Sequence, residues 1–514
     1  MYERLLNIFN AAGSPRVLLV GDFMLDHYIL GNTDRISPEA PVIVMNVTER
    51  LERPGGAGSV AANLAALDVE VACLGIVGDD HSGRLLGQLL TGLGSVNIDA
   101  LISLPDRPTT TKQRIIGLAQ HRHRQQLMRI DEECCNPIAA SVRDRFDKKL
   151  KALIDWCDVV CLEDYNKGLL CNDFCKHIIR TACDHHKHVI VDPAAITDYS
   201  RYHGVWMIKP NRRELASATG IDIDGPDTWE SAAGSLAQDH NIANVVVTLD
   251  KQGAYLYRKA TDANAGSGEL IPTRPRNVYD VTGAGDMVLA LLALLTAAKY
   301  KDTTPPTISE TVCLANVAGG LEVERFGSVG LSRNEIIGEL SRQRRIKTGK
   351  LRSLNSLLQE LTWLRRQKMN IVFTNGCFDI LHPGHINLLS FAKEQGDILI
   401  VAINSDDSVR NLKGSGRPIL KQHDRAALLS ALEAVDYILV FDEPTPLHLI
   451  EQVSPDILIK GSDWAGSVVG QEWVEAHDGK VVLMPLSKGI STTNIIERVI
   501  QQNAKHSSLS GEPS

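Results

Sequence analysis

The chain contains two successive series of short apolar segments, and each segment ends in a polar or glycine-rich turn. The first series, within residues 1–331, includes RVLLVGD, VEVACLGIVG, DVVCLED, HVIVDP and NVVVTLD. The second, from residue 369, includes NIVFTNGCFD, DILIVAINSD, DYILVFDEP and DILIKGSDW. Amphipathic stretches separate the segments, as helical crossovers separate parallel strands. The sequence therefore predicts two α/β domains, because 514 residues exceed what one core usually holds.

The composition changes between the two series. Residues 332–368 are polar, basic and compatible with helix, so we expect a helical linker there. The predicted domains are therefore 1–331 and 369–500, and the polar tail 501–514 is expected to be disordered. Within the first domain, PVIVMNVTERLER and TTTKQRIIGL alternate apolar and polar residues, which predicts a small, half-exposed β-flap beside the main sheet.

Charge and composition narrow the classes of ligand. A net charge of -8 gives no electrostatic case for nucleic acid, whose phosphates are bound by clustered Lys and Arg. The N-terminal segment lacks the features of a secretory signal, and the longest strongly apolar run, from Met287, is too short to span a bilayer. Ten cysteines in a chain of this length do not make a disulfide scaffold. We therefore expect a cytoplasmic protein that binds small molecules, without nucleic acid or membrane partners.

The stretch YDVTGAGDMVLALLALL predicts a turn that handles phosphate at the start of an apolar helix. The backbone N–H groups of Gly283, Ala284 and Gly285 can converge at the positive end of that helix. Asp286 follows in the first turn, where a carboxylate can take a proton from an attacking hydroxyl while the amides hold the transferring phosphate. The residues alone leave one alternative open, namely that the glycines and Asp286 only cap the helix.

Six motifs in order resemble the PfkB (ribokinase-like) family of sugar kinases: GDFMLD, RPGGAGSVAANLAAL, EDYNKG, KPNRREL, VTLDKQGAYL and DVTGAGD. The resemblance implies that Asp286 is the catalytic base and that the 283–285 amides form the anion hole. It implies a set of residues near ATP and Mg²⁺, with Glu214 nearest to the metal: Asn211, Arg212, Arg213, Glu214, Thr248 and Gly253. It implies a second set at the sugar: Asp22, Asp26, Gly55, Gly56 and Asn63. Ser59 stands where the family commonly has Asn, so the resemblance does not decide whether this residue contacts the sugar.

The stretch FTNGCFDILHPGHINLL follows a strand and opens a helix. His382 and His385 lie three residues apart and can share one helix face. With Asp379 as a third ligand they could hold a metal ion. The glycine-containing turn equally suits close approach of a phosphate, where imidazoles and helix-end amides can stabilise charge while pyrophosphate leaves. Phosphate chemistry, a metal site and a plain capped helix all remain open from these residues.

The HPGH sequence resembles the HxGH signature of the cytidylyltransferase-like nucleotidyltransferases. Supporting motifs follow in order: VAINSDDS, LKGSGRPI, DRAALLSALEAVD, DILIKGSDW and GISTTNIIERV. By this resemblance His382 and His385 are catalytic and contact the triphosphate. The remaining nucleotide and phosphate residues would be Asn375, Gly376, Phe378, Lys413, Arg417, Lys460, Ser491 and Thr492. No direct metal ligand is assigned in either domain.

The two domains in this order, with RISPEAPVIV near the start and GISTTNII near the end, resemble the family of bifunctional heptose 7-phosphate kinase / heptose 1-phosphate adenylyltransferases. The implied fold is a ribokinase-like domain with a β-flap, followed by a Rossmann-like HxGH domain. The implied reactions are ATP-dependent phosphorylation of D-glycero-β-D-manno-heptose 7-phosphate at O1, and adenylyl transfer from ATP to heptose 1-phosphate. The products of the second reaction would be ADP-heptose, for lipopolysaccharide synthesis, and pyrophosphate.

The same resemblance implies Mg²⁺ with ATP, a separate phosphatase acting between the two steps and a homodimer, and it admits a monovalent cation near Asp280. An alternative is another sugar or alditol kinase fused to a nucleotidyltransferase of different sugar or nucleotide specificity, such as for CTP, since no residue pattern identifies the sugar. A nucleotide-sensing or scaffold protein is disfavoured, because Asp286, His382 and His385 are all present.

Overall fold

The structure is a computed structural model that describes residues 2–118, 124–260, 265–274, 283–325, 330–366 and 368–485. The chain divides into two compact units, Met1–Ser341 and Arg342–Ser514. The predicted tail, Asp280, Ser491 and Thr492 lie outside the described residues. Within these ranges, every helix is too short or too polar to cross a membrane.

The first unit alternates strands and helices, as the sequence predicts. Its strands are Arg16–Gly21 (β1), Phe23–Ile36 (β2), Ile43–Gly56 (β3), Glu70–Gly78 (β4), Val96–Leu104 (β5), Thr110–Leu118 (β6), Arg124–Glu132 (β7), Val159–Glu163 (β8), His188–Asp192 (β9), Met207–Ile208 (β10), Asn244–Thr248 (β11), Ala254–Arg258 (β12) and Ser267–Ile271 (β13). Its helices are Tyr2–Ala11 (α1), Ala57–Ala66 (α2), His81–Thr91 (α3), Ala140–Trp156 (α4), Asn172–Asp184 (α5), Arg212–Thr219 (α6), Pro226–Asp239 (α7), Ala284–Ala297 (α8), Ile308–Glu322 (α9) and Arg333–Thr348 (α10), the last crossing the boundary between the units.

The main sheet of the first unit has nine strands in the order β13-β12-β11-β10-β9-β8-β1-β4-β5. All neighbours are parallel except at one edge, where β12 is antiparallel to both β11 and β13. From β1 the chain moves outward to β4 and β5, and later returns to β8 on the other side of β1. The strand order therefore reverses beside β1. Ligands of such sheets bind at that reversal, beyond the carboxyl ends of the strands.

The most apolar segments of this unit are the ones that are buried on nearly all sides in its core. β8 is buried along its whole length, and β1 is buried except at its first residue, which suits strands covered by helices on both faces. α8 is buried on nearly all sides because it packs against α2, α9 and the sheet. The apolar run that begins at Met287 is therefore a buried helix of a globular domain.

The predicted flap is a separate four-stranded sheet in the order β3-β2-β6-β7. β2 pairs antiparallel with β3 and parallel with β6, and β6 pairs antiparallel with β7. Tyr28, Leu30 and Ile116 form a small buried cluster on one face, while β7 is exposed along its length. The flap is therefore half exposed, as predicted.

The second unit contains Leu354–Arg366 (α11), Ile371–Gly376 (β14), Pro383–Glu394 (α12), Ile398–Asn404 (β15), Asp406–Lys413 (α13), Gln422–Ser430 (α14), Tyr437–Phe441 (β16), Leu447–Val453 (α15), Ile457–Gly461 (β17), Gln471–Ala476 (α16) and Lys480–Met484 (β18). Its parallel sheet has the order β16-β15-β14-β17-β18. Alternate residues of β14 enter cores on opposite faces, with Phe373 on the side of Leu361 and Val372 on the side of Leu389. α11 thus contributes to the core of the second unit, although its residues belong to the segment read from sequence as a linker.

Candidate active sites

The first candidate site is a group of charged residues at the carboxyl ends of β8, β9 and β10. Glu163 and Asp192 are the last residues of β8 and β9 and are paired in register. Lys209 follows β10, and its Nζ lies 2.7 Å from Asp192 Oδ2. Carboxylate oxygens of Glu163, Asp192 and Asp286 all lie within 4.8 Å of one another. The strand order of the sheet therefore brings together residues that are far apart in the sequence.

The start of α8 faces this group. Gly283 precedes the helix with φ 87°, a left-handed conformation that glycine adopts without strain. A Cβ added to Gly285 would lie 3.5 Å from Lys209 Nζ, so the ammonium group lies beside the helix start. The positive end of α8 and the Lys209 side chain together favour an anion here.

Asp286 is buried in the first turn of α8, and this burial determines its acidity. The pKa of Asp286 is raised to about 6, chiefly by burial and also by Asp192, whereas the nearby Ser59 hydroxyl and Lys209 lower it. Burial, followed by Asp192 and Asp286, also raises the pKa of Glu163. A carboxylate with a pKa near 6 is ionised at neutral pH yet basic enough to accept a proton from a hydroxyl. Ser59 thus lies beside the candidate base.

Asp22, directly after β1, connects that strand to the loop after β8. Its Oδ2 accepts hydrogen bonds from the backbone N–H groups of Tyr165 (2.9 Å) and Lys167 (3.0 Å). Its Oδ1 is buried and makes no hydrogen bond within the described residues. Burial, followed by Asp164, raises the pKa of Asp22 to about 7. A buried oxygen of this kind can accept a hydrogen bond from a substrate hydroxyl.

The remaining predicted sugar residues surround the junction between the flap and α2. The Asp26 carboxylate pairs with the guanidinium of Arg114 at 2.9 Å. A Cβ on Gly55 would lie 2.8 Å from Asp26 Cγ, so glycine leaves room for this carboxylate. Gly56 has φ 56° and is the N-cap residue of α2. Asn63 is buried on this helix, and its Nδ2 makes no hydrogen bond within the described residues.

The predicted ATP residues divide into two groups. Asn211 and Glu214 form a capping box at the start of α6, with Glu214 Oε2 accepting the Asn211 backbone N–H at 2.7 Å. Burial, followed by Asp192, raises the pKa of Glu214 to about 7, so this carboxyl also lies in the field of the acidic group. Arg212 instead donates to the carbonyls of Ile223 and Leu249 and supports the adjacent loops.

The other three predicted ATP residues, Arg213, Thr248 and Gly253, lie on α6 and near the ends of β11 and β12. Arg213 is exposed on α6. Thr248 ends β11 and forms an isolated bridge with Asn211. Gly253 has φ 102°, and a Cβ there would lie 2.3 Å from the carbonyl oxygen of Ile271, so its conformation requires glycine.

Glu163, Asp192 and Lys209 are site residues that the sequence reasoning missed. Each is the polar residue that ends or follows an apolar strand, in DVVCLED, HVIVDP and GVWMIKPN. That position was a usable signal, because carboxyl ends of neighbouring parallel strands meet at one edge of the sheet.

The second candidate site lies at the carboxyl end of β14, where the strand order of the second sheet also reverses. His382 is the N-cap residue of α12, with Pro383 in the first turn. The rings of His382 and His385 stack with centroids 3.8 Å apart. The ring of Phe378 lies beside the pair, with its centroid 5.0 Å from that of His385. Both imidazoles therefore lie at the positive end of a helix, and His385 also lies next to an apolar ring.

The electrostatics of this pair favour neutral imidazoles. Burial, followed by His382 and Lys413, lowers the pKa of His385 to about 4. Burial also lowers the pKa of His382. At neutral pH both rings can therefore donate an N–H hydrogen bond without carrying a full charge.

Asp379 is occupied by protein contacts. It pairs with Arg417 at 2.5 Å and accepts the backbone N–H groups of Ile419 (2.6 Å) and Leu420 (3.1 Å). In the described part of the chain, the acidic group around Asp286 is the one set of three ligand atoms close enough to hold a metal ion. The metal alternative for Asp379 and the histidine pair therefore lacks support here, and Arg417 is held by Asp379.

Lys460 and Asn375 complete the second site. Lys460, at the end of β17, donates to the Asn375 carbonyl at 3.1 Å, and its Nζ lies 5.3 Å from the centroid of the Trp464 ring. The Asn375 Oδ1 is buried and makes no hydrogen bond within the described residues. Gly376 ends β14, and Lys413 ends α13 and is close enough to influence His385. The Lys460 ammonium group and the two imidazole N–H donors thus lie around the end of β14, which suits a polyphosphate, whereas the Asn375 oxygen can accept a hydrogen bond from a donor of the ligand.

Two protein-family models match this chain, one in each of the two domains. The model of the pfkB carbohydrate kinase family matches residues 14–334, and the cytidylyltransferase-like family model matches residues 373–498. A protein from Trichlorobacter lovleyi named bifunctional protein HldE is 39% identical over 499 residues, covering 96% of this chain and 98% of that protein. Another of the same name from Wolinella succinogenes is 40% identical, covering 96% and 99%.

Among solved structures, phosphofructokinase-2 from Escherichia coli in complex with substrates and products superposes with a TM-score of 0.52 at 18% identity. The superposition covers 64% of this chain and 100% of that chain. At this identity the likeness shows a shared fold.

Proposed function

This chain belongs to the pfkB carbohydrate kinases and to the bifunctional HldE proteins, and from that membership we propose that it makes ADP-heptose through two separate active sites. The first unit phosphorylates D-glycero-β-D-manno-heptose 7-phosphate at O1 with ATP. The second unit transfers AMP from ATP to heptose 1-phosphate and releases pyrophosphate. The chain is thus a bifunctional kinase and nucleotidyltransferase that supplies a precursor for lipopolysaccharide.

The observation that carries the kinase assignment is the placement of Asp286 beside an anion-binding helix start. The hydroxyl of the sugar gives its proton to Asp286 while its oxygen attacks the γ-phosphorus of ATP, and the bond from that phosphorus to the β–γ bridging oxygen breaks as ADP leaves. The amides of Gly283, Ala284 and Gly285, together with Lys209, stabilise the charge on the phosphoryl oxygens. Asp22 and Asp26 orient the sugar through hydrogen bonds to its other hydroxyls.

Kinases of this family use ATP with Mg²⁺, and the residues present fit a divalent cation. Magnesium prefers carboxylate oxygens, and Glu163 and Asp192 offer them beside Asp286, with Glu163 Oε2 making no hydrogen bond within the described residues. When bound, the metal would offset the charge of the ATP phosphates. Glu214 lies in the same field and would act from farther away. A monovalent cation near Asp280 remains a proposal.

The adenylyltransferase assignment rests on the stacked histidines. The 1-phosphate of the sugar attacks the α-phosphorus of ATP directly, so no protein nucleophile is required. His382 and His385 donate N–H hydrogen bonds to the phosphate oxygens as charge builds, and Lys413 and Lys460 stabilise the leaving pyrophosphate. Arg417, Ser491 and Thr492 are proposed as further phosphate contacts.

The two reactions need a third activity between them. The kinase product carries phosphates at both O1 and O7, whereas the second reaction uses heptose 1-phosphate. We therefore propose a separate phosphatase as a functional partner. Ten free cysteines support a reducing, cytoplasmic location.

We also propose a homodimer. Large apolar side chains are exposed on the flap, where a second copy could cover them: Ile36, Val42, Ile43, Leu127, Met128 and Ile130.

The proposal is tested by assaying the purified chain with a panel of sugar phosphates, each with ATP and with CTP. Product sugar phosphates report the kinase, and pyrophosphate release reports nucleotidyl transfer. We expect heptose 7-phosphate and heptose 1-phosphate to be the best substrates, both with ATP. Preference for another sugar or for CTP in the second reaction would favour the alternative fusion instead.

A further inference from the structure

The flap carries an excess of positive charge on one face. The strand register aligns Arg53, Asp26, Lys112 and Asp131 in one row across the four strands. The next row on the same face aligns Leu51, Tyr28, Arg114 and Arg129. The two rows therefore contain four cationic side chains and two carboxylates.

The central cations of this face are held in place by their neighbours. The Arg114 side chain is only 11% exposed and pairs with Asp26 at 2.9 Å. The guanidinium carbons of Arg114 and Arg53 lie 5.2 and 5.7 Å from the centroid of the Tyr28 ring. Stacked guanidinium groups lose little further freedom when they bind an anion.

Lys112 connects this face to the kinase site. Its Nζ lies 4.5 Å from the centroid of the Tyr165 ring. Asp286 is the largest cause of the raised pKa of Tyr165, so the tyrosine lies in the field of the candidate base. Burial, followed by the effects of Arg114 and Arg129, lowers the pKa of Lys112, although Asp26 opposes this. The Lys112 ammonium is therefore partly desolvated, with Asp26 and Asp131 on either side and two further cations nearby, and an added anion would favour its charged form.

A sugar phosphate poses an electrostatic problem for the carboxylate-rich end of the sheet. The anion site at the start of α8 is taken by the phosphates of ATP, and a second phosphate dianion close to Glu163, Asp192 and Asp286 would be repelled, whereas the flap presents the opposite charge. The end of the sugar that carries a phosphate should therefore point to the flap, and the end with the reacting hydroxyl to Asp286.

We propose that Lys112, supported by Arg114, binds the phosphate already carried by the sugar and thereby makes the kinase select a phosphorylated sugar over the free sugar. This inference rests on the proposed kinase function and deepens it by naming the determinants of that selectivity.

The test compares Lys112→Met and Lys112→Arg with Arg50→Met as the matched control. Arg50 is an exposed cation of the same flap, but it pairs with Ile29 and lies on the opposite face. We expect Lys112→Met to raise the KM for heptose 7-phosphate about 10- to 100-fold with a smaller change in kcat, since a hydrogen bond to a charged group is lost. The KM for the unphosphorylated heptose should change little. Lys112→Arg should restore most of the affinity, and Arg50→Met should behave as wild type.

Binding of heptose 7-phosphate without ATP, measured by calorimetry, should weaken by the same factor in Lys112→Met. An unchanged KM and dissociation constant in this variant would overturn the inference while leaving the proposed function in place. An equal loss for phosphorylated and unphosphorylated heptose would also overturn it, since it would indicate general damage to the flap. If the wild-type chain itself phosphorylated no heptose phosphate, the proposed function would fail instead.

Discussion

The imidazole rings of His382 and His385 stack with their centroids 3.8 Å apart and their planes inclined by 19°. Two imidazolium rings would repel each other at this distance, and burial opposes their charge as well. The pair therefore resides in the neutral form until a ligand arrives. A bound triphosphate would oppose this preference by placing negative charge beside both rings.

We expect His385→Ala to lower the rate of adenylyl transfer by about 100- to 1000-fold, because it removes a donor to the developing phosphate charge. The kinase rate of the same chain should not change. The measurement is pyrophosphate release beside sugar phosphorylation, with His423→Ala as control, since the His423 side chain is 88% exposed. Full adenylyltransferase activity in His385→Ala would exclude a catalytic role for this ring.

We expect Asp286→Asn to reduce the kinase rate by about 100- to 10000-fold, because the amide cannot accept the proton of the sugar hydroxyl. Adenylyl transfer should be retained in this variant. Asp302→Asn, at an exposed position, is a matched control for the same chemical change. Kinase activity in Asp286→Asn close to wild type would mean that another group is the base.

The pKa of Asp286 also predicts the pH dependence of the wild-type kinase. Because burial raises this pKa to about 6, the base is protonated and inactive below that pH. The value of kcat/KM for the kinase should therefore be nearly constant above pH 7 and fall about tenfold per pH unit below pH 6. A profile that stays flat down to pH 4 would contradict the assignment, because it would describe an ordinary exposed carboxylate.

We expect Asp22→Asn to stabilise the first unit at pH 8 while it weakens the kinase. The pKa of Asp22 is raised to about 7 in the folded chain from an ordinary value of 3.8, so folding disfavours its charged form. This cost is absent below pH 3.8, grows as the pH rises and is complete above pH 7. The amide removes it and can still accept the N–H groups of Tyr165 and Lys167, so unfolding at pH 8 should require roughly 2–4 kcal/mol more. Equal stability of variant and wild type in thermal unfolding at pH 8 would contradict this account.

We expect Arg425→Met to unfold the second unit selectively. Arg425 is fully buried and donates to the carbonyls of Cys377 and Asn404 and to Asp406. Its removal leaves these acceptors unsatisfied, at a cost of about 3–5 kcal/mol. Calorimetry should show an earlier unfolding transition and loss of adenylyl transfer, with the kinase intact. Arg410→Met, at a position with 48% side-chain exposure, should have little effect.

The sequence predicted most of the fold because its strands are short, apolar and regularly followed by helices. That pattern is local, and it sufficed to indicate two α/β domains and a β-flap. The segment 332–368 shows the limit. Leu354, Leu357, Leu361 and Leu364 recur at helical spacing, but such a local pattern does not indicate which core the helix joins, and only the structure places α11 in the second core.

The residues of the candidate sites likewise fall into those that a local pattern predicted and those that only the folded chain brings together. The sequence by itself determined the residues that lie together in one turn, such as Gly283, Gly285 and Asp286, because a strand-to-helix turn holds its own neighbours close. Only the tertiary structure decided that Asp192 and Lys209 join them, since those contacts depend on strand order. Burial, too, is a property of the packed chain, and it is the largest cause of the shift in the pKa of Asp286 towards that of a useful base.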